Sequence, residues 1–168
     1  MQSQIHYGDG VAFGEMGDVV VMSWSAPVRI ERAHWMTDRL QRRLSARDDS
    51  LVIVQLISVS ATPPDAATRA QGAYMLTLVG PRTRCLVTLA LGNDLWAILV
   101  RMINRTIARW SAVSKTSHFV KSIDEVLLEI DRVRTVDTPP GAEIFELLTR
   151  LAVESEGSRD HPVNAEAG

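Results

Sequence analysis

The run Leu51-Val52-Ile53-Val54-Gln55-Leu56-Ile57 constrains this chain more than any other stretch. It is aliphatic at all but one position, with charged and hydroxyl residues on either side: Asp48-Asp49-Ser50 before it, Ser58 to Thr62 after it. It lacks the polar alternation of a half-wet strand and is too short for a buried helix, so it reads as a central strand covered on both faces. The remainder of the chain must supply its neighbours and its cover.

The flanking segments read as alternating strands and helices. Val11 to Glu15 and Asp18 to Trp24 form a hairpin with its corner at Gly17-Asp18, and Gly8-Asp9-Gly10 and Gly14 to Gly17 are turn chemistry rather than phosphate-cradling loops. From Arg29 to about Arg47, Ala33, Met36, Leu40 and Leu44 recur at helical spacing. Thr62-Pro63-Pro64-Asp65 supplies a cap with proline in the first turn, and Ala66 to Val79 is a second helix stopped by Gly80-Pro81. Thr83 to Leu91 is the next strand, and Asn93 or Asp94 caps a third helix reaching about Val113. Ser117 to Lys121 is a short strand, Ser122 opens a helix to Val133, and Pro139-Pro140-Gly141 breaks the chain before an amphipathic helix over 142–154.

At 168 residues, 46% of them hydrophobic, the chain has enough apolar sequence for one core and too little length for two ordinary domains. The expected organisation is a domain over 1–133, a linker with an accessory helix over 134–154, and a disordered tail over 155–168. No apolar run approaches a membrane span, and Met1 to Gln4 has neither the basic start nor the apolar centre of a signal peptide; a soluble cytoplasmic protein is expected. The formal net charge of −2 argues against a general nucleic-acid binder.

Strands alternating with helices require crossovers over a parallel or mixed sheet. The strands Leu51 to Leu56 and Cys85 to Leu91, with the ending Phe119-Val120-Lys121-Ser122-Ile123-Asp124-Glu125-Val126-Leu127, resemble the STAS family of bacterial anti-sigma-factor antagonists and its SpoIIAA-like relatives. The resemblance spans roughly residues 10 to 133. It implies an α/β fold with a four- to five-stranded mixed sheet and helices packed mainly on one face. It further implies a non-catalytic regulatory protein-protein interaction module that binds a protein partner or itself. The alternative is a small-ligand or lipid-binding domain of SpoIIAA-like type, holding an apolar small ligand. In the antagonists a segment of Asp-Ser-Ser-Gly type carries a regulatory phosphoserine, whereas about Thr62-Pro63-Pro64-Asp65-Ala66 stands there in this chain.

The loop that enters the second helix is therefore the expected partner-binding surface, through Ser58, Ser60, Thr62 and Asp65. Arg101, Arg105 and Arg109 recur every four residues on the third helix and would suit an anionic partner, with Arg82 and Arg84 as additions to a basic patch. Self-association is expected through the broad apolar stripe of the third helix, with Trp96 and Ile103 in it and Leu95, Ile98 and Met102 widening it. Leu147, Leu148 and Leu151 of the last helix offer a second such surface. His6, His34, His118 and His161 are scattered and Cys85 is the only cysteine, so neither a metal site nor a disulfide is expected. No nucleophile motif marks an enzyme, and no cofactor is called for.

Overall fold

The computed structural model describes residues 3–108 and 116–157. Their strands β1 (Gln4–Gly8), β2 (Val11–Met16), β3 (Val19–Trp24), β4 (Leu51–Ser58), β5 (Thr83–Leu91) and β6 (Ser117–Val120) form a six-stranded sheet in unshuffled order. The first three make an antiparallel meander, and β3 to β6 run parallel. Helices α1 (Ile30–Ala46), α2 (Ala66–Val79) and α3 (Asp94–Ala108) connect the parallel strands, and α4 (Ile123–Arg132) and α5 (Gly141–Gly157) follow β6. The sheet thus has more strands than the four or five expected. The additional one is β1, an exposed edge strand that pairs Gln4 with Glu15 and Gly8 with Val11.

Helices cover both faces of the sheet, not mainly one. Successive crossovers of one hand between adjacent strands place their helices on a common side. On that side Met36 and Leu40 of α1, Met75 and Val79 of α2, and Trp96 of α3 pack on Phe13, Val20, Met22, Ile53 and Leu86. No strand follows α4 among the described residues, and the chain returns across the opposite face. There Val126 and Ile130 of α4 and Ile144, Leu147, Leu148 and Leu151 of α5 bury Val19, Val21, Val52, Val54 and Val87. The aliphatic run of β4 requires this arrangement: alternate residues face opposite sides, and Leu51 through Leu56 are all buried. The expected accessory helix is therefore half of the second layer. Gly14 of β2 makes room for it, since a Cβ there would come within 3.1 Å of Leu151 and 3.3 Å of Leu147.

The amino ends of the parallel strands are tied by charge. Arg43 of α1, itself buried, forks onto Asp49 at 2.8 and 2.7 Å and donates to the Gly17 carbonyl at 3.0 Å. That fork holds the Asp49 carboxyl below the usual carboxylate range, against the opposing effect of burial. Arg82 donates to the carbonyls of Leu44, Arg47 and Asp49, closing the end of α1 and the turn into β4. Arg84 pairs with buried Asp18, whose carboxylate also accepts from Thr135 at 3.1 Å and Thr138 at 2.9 Å in the α4–α5 connection. Arg82 and Arg84 thus point at backbone carbonyls and at Asp18 rather than forming a surface patch. Ser122 caps α4 as its sequence predicts, accepting from the Glu125 N–H at 3.2 Å, while Glu125 accepts from the Lys121 N–H at 2.7 Å.

Candidate functional site

The carboxyl ends of β3, β4 and β5 open on one edge of the molecule, where crossover loops meet the first turns of α2 and α3. Backbone N–H groups and loop side chains gather at such an edge, while the strands beneath hold it rigid. The loop after β4 is fixed from within. Ser58 is buried, its hydroxyl accepts from the Ser60 N–H at 3.3 Å, and its carbonyl accepts from the Ala61 N–H at 3.0 Å. Ser58 is thus a loop support and not the solvent-facing recognition residue expected from the sequence. Ser60 is half-buried, while Thr62 and Asp65 are exposed.

The cap of α2 also differs from expectation. Asp65, not Thr62, closes the helix, its carboxylate accepting from the Thr68 N–H at 2.8 Å; both prolines therefore precede the helix. That hydrogen bond holds the Asp65 carboxyl below its ordinary range. Arg69 donates to the Pro64 carbonyl at 2.8 Å and steadies the same corner.

Glycine 92 brings the neighbouring loop against this one. Its φ of 151° lies in a region that L side chains rarely adopt, and an added Cβ would sit 2.1 Å from the Val59 side chain. Asn93 then caps α3 by accepting from the Trp96 N–H at 2.9 Å, and the Trp96 indole donates to the Ile57 carbonyl at 3.3 Å. Trp96 is half-buried against the sheet and Ile103 half-buried along the cleft between α2 and α3, so neither is a fully exposed surface residue.

The exposed apolar residues of α3 lie on its outward side instead. Leu95 is 78% exposed, Ile98 52%, Leu99 37% and Met102 62%. Their spacing of three and four residues lines them up on the helix surface. Beside them Arg101 is half-buried and Arg105 exposed; Arg109, the third of the expected cationic row, lies outside the described residues, as does Trp110. Leu147, Leu148 and Leu151 are buried in the chain's own core, which removes α5 as the second self-association surface.

Between α2, α3 and the sheet lies an apolar cleft of about 80 Å³, walled by Trp24, Ile57, Met75, Leu76, Trp96 and Val100 among others. Gly72 of α2 lines it as well. Gln55, Thr68 and Asn104 contribute polar atoms to the same walls. Nothing in the sequence sets these three apart, because each is an ordinary residue for its strand or helix.

Cys85, His6 and His118 are not among the residues that line the cleft. Cys85 is buried on the α4 side of the sheet, and burial, reinforced by nearby Glu129, pushes its thiol up to about 11. It is therefore a thiol, not a thiolate, at neutral pH. Iodoacetamide at pH 8 should leave the native chain unlabelled and alkylate Cys85 fully in urea, a difference that intact mass resolves. His6 lies 3.7 Å from Glu15, and His118 lies 3.3 Å from Glu129, pairings between separate elements that the sequence spacing did not suggest. No group of three His, Cys, Asp or Glu side chains among the described residues is arranged to hold a metal ion. No helix among them is long and apolar enough to cross a membrane. No protein-family model, curated protein or solved structure matches this chain.

Proposed function

We propose that this chain is a non-catalytic protein-interaction module of STAS or SpoIIAA-like type, associating with a second copy through the outer side of α3. The observation that carries the reading is the row Leu95, Ile98, Leu99 and Met102, four large apolar side chains facing solvent on a helix whose inner side is already packed. Large exposed apolar patches mark contact surfaces in soluble proteins. Exposed Thr62 and Asp65 stand on the neighbouring rigid loop, and exposed Arg105 gives the α3 side a cationic border that a regulatory partner with carboxylates would complement. The regulatory role rests on the likeness of the ending Phe119 to Leu127 to the STAS pattern. The non-catalytic role rests on how these ionisable groups are used: Arg43 binds Asp49, Arg84 binds Asp18, and burial raises the Cys85 thiol to about 11.

Sedimentation over micromolar concentrations tests this directly. The wild type is expected to sediment above the monomer mass, and Leu95→Glu/Met102→Glu as a monomer with an unchanged melting temperature, because both positions are exposed. A wild type that stays monomeric throughout that range would overturn the association.

A further inference from the structure

We propose that the cleft between α2 and α3 is a binding site for a small uncharged molecule with an apolar body and one carbonyl oxygen. The inference does not depend on the interaction reading, which concerns the opposite side of α3.

Polar atoms short of partners distinguish this cleft from a packing fault. Thr68 is only 3% exposed; its hydroxyl makes no hydrogen bond of full geometry and only leans on the Asp65 carboxylate, whose ionised form it favours. The Asn104 side-chain Nδ2 is buried and unpartnered. Buried donors in native proteins are almost always satisfied, so the unpartnered Asn104 amide on this cavity points to an acceptor that occupies it. Gln55 stands on the sheet floor of the same cleft, where its Oε1 accepts from Thr88 at 3.4 Å and its amide nitrogen is available as a third donor. Three donors around an apolar hollow suit an oxygen that accepts more than one hydrogen bond.

The rest of the lining sets the ligand's charge and shape. Among the described residues no Lys, Arg, Asp, Glu or His lines the cleft, so an ion entering it would lose its hydration with no countercharge. Trp24 and Trp96 offer flat apolar walls suited to a ring or a short branched chain. The volume of about 80 Å³ admits the carbonyl end and a few carbons and excludes a whole lipid chain. The site also lies at the carboxyl ends of parallel strands, where α/β sheets commonly bind ligands.

Cyclohexanone, which is neutral, and cyclohexanecarboxylate, an anion that keeps the six-membered ring and adds a carboxylate, are the probes. Titrated against ¹⁵N-labelled full chain, cyclohexanone should shift the indole N–H resonances of Trp24 and Trp96 in a saturable way, and the carboxylate should not. Thr68→Val keeps the side-chain shape and removes the hydroxyl. It should weaken the ketone at least threefold while leaving the melting temperature unchanged or raised, an outcome that a purely structural threonine would not give. Asn104→Leu should weaken it similarly. Absence of saturable indole shifts with the ketone, equal binding of the carboxylate, or full-strength ketone binding by both variants would each overturn the proposal. Because Leu95→Glu/Met102→Glu leaves the cleft intact, it should bind the ketone as the wild type does, which separates failure of this site from failure of the α3 interface.

Discussion

Asp18→Ala is expected to destabilise the chain by about 3–5 kcal/mol, the usual effect of removing one member of a buried ion pair. Asp18 is 1% exposed and belongs to the turn between β2 and β3. Its carboxylate is shared by Arg84 at the start of β5 and by Thr135 and Thr138 in the α4–α5 connection. Alanine would leave the Arg84 guanidinium without its carboxylate and the Thr135 and Thr138 hydroxyls with only each other, and would loosen α5 from the face of the sheet that it covers. Since a domain's whole stability is about 5–15 kcal/mol, a melting temperature lowered by roughly 10 °C or more is expected. Asp38→Ala breaks an exposed pair with Arg42 within α1 and should scarcely move the transition. Urea melts of the two variants beside the wild type would check both; equal midpoints for wild type and Asp18→Ala would refute the role given to this carboxylate.

A second large effect is expected in α5. Leu148 is wholly buried against the face of the sheet opposite α1 and α2, together with Ile144 and Leu151. Leu148→Ala should cost about 2–5 kcal/mol, made up of lost apolar burial and the cavity left behind. Phe145, on the outer side of the same helix and 44% exposed, should tolerate alanine with little change. Leu148→Glu would bury a carboxylate without a partner and should abolish the cooperative transition. Were α5 a separate accessory helix, Leu148→Ala would leave the main thermal transition where it is, so calorimetry distinguishes the two arrangements.

The elements legible in the sequence were those with a strong local signal. Leu51 to Ile57 carried enough aliphatic residues to require a two-sided strand, Ala66 to Val79 was bounded by Pro-Pro-Asp and Gly-Pro, and Thr83 to Leu91 was bounded by turn residues. β1 went unread because Gln4-Ile5-His6-Tyr7-Gly8 has a single large aliphatic residue. It is a strand through its pairing with β2, a property of the partner rather than of the segment. The capping of α2 was placed at Thr62 because a threonine before two prolines fits the pattern; the structure selects Asp65, whose carboxylate reaches Thr68. Pattern fixes a cap only to within a few residues, since several side chains compete for the same free N–H groups.

What the chain carries in its sequence is a set of amphipathic segments in a definite order, and that order requires an α/β sheet with crossover helices. Periodicity marks which residues of a helix are apolar, but not what those residues face. Thus Leu147, Leu148 and Leu151 and the stripe of α3 looked alike as candidate contact surfaces. The sheet's second face buries the former, while Leu95, Ile98, Leu99 and Met102 stay in solvent because α3 can turn only one side to the sheet. Likewise Asp18 and Thr138 meet across 120 residues, and Thr68 and Asn104 share a cleft although they sit on separate helices. Such meetings are decided by the tertiary fold because hydrogen bonds and desolvation act through space over a few ångströms, whereas sequence patterns register only what neighbouring residues do to one another.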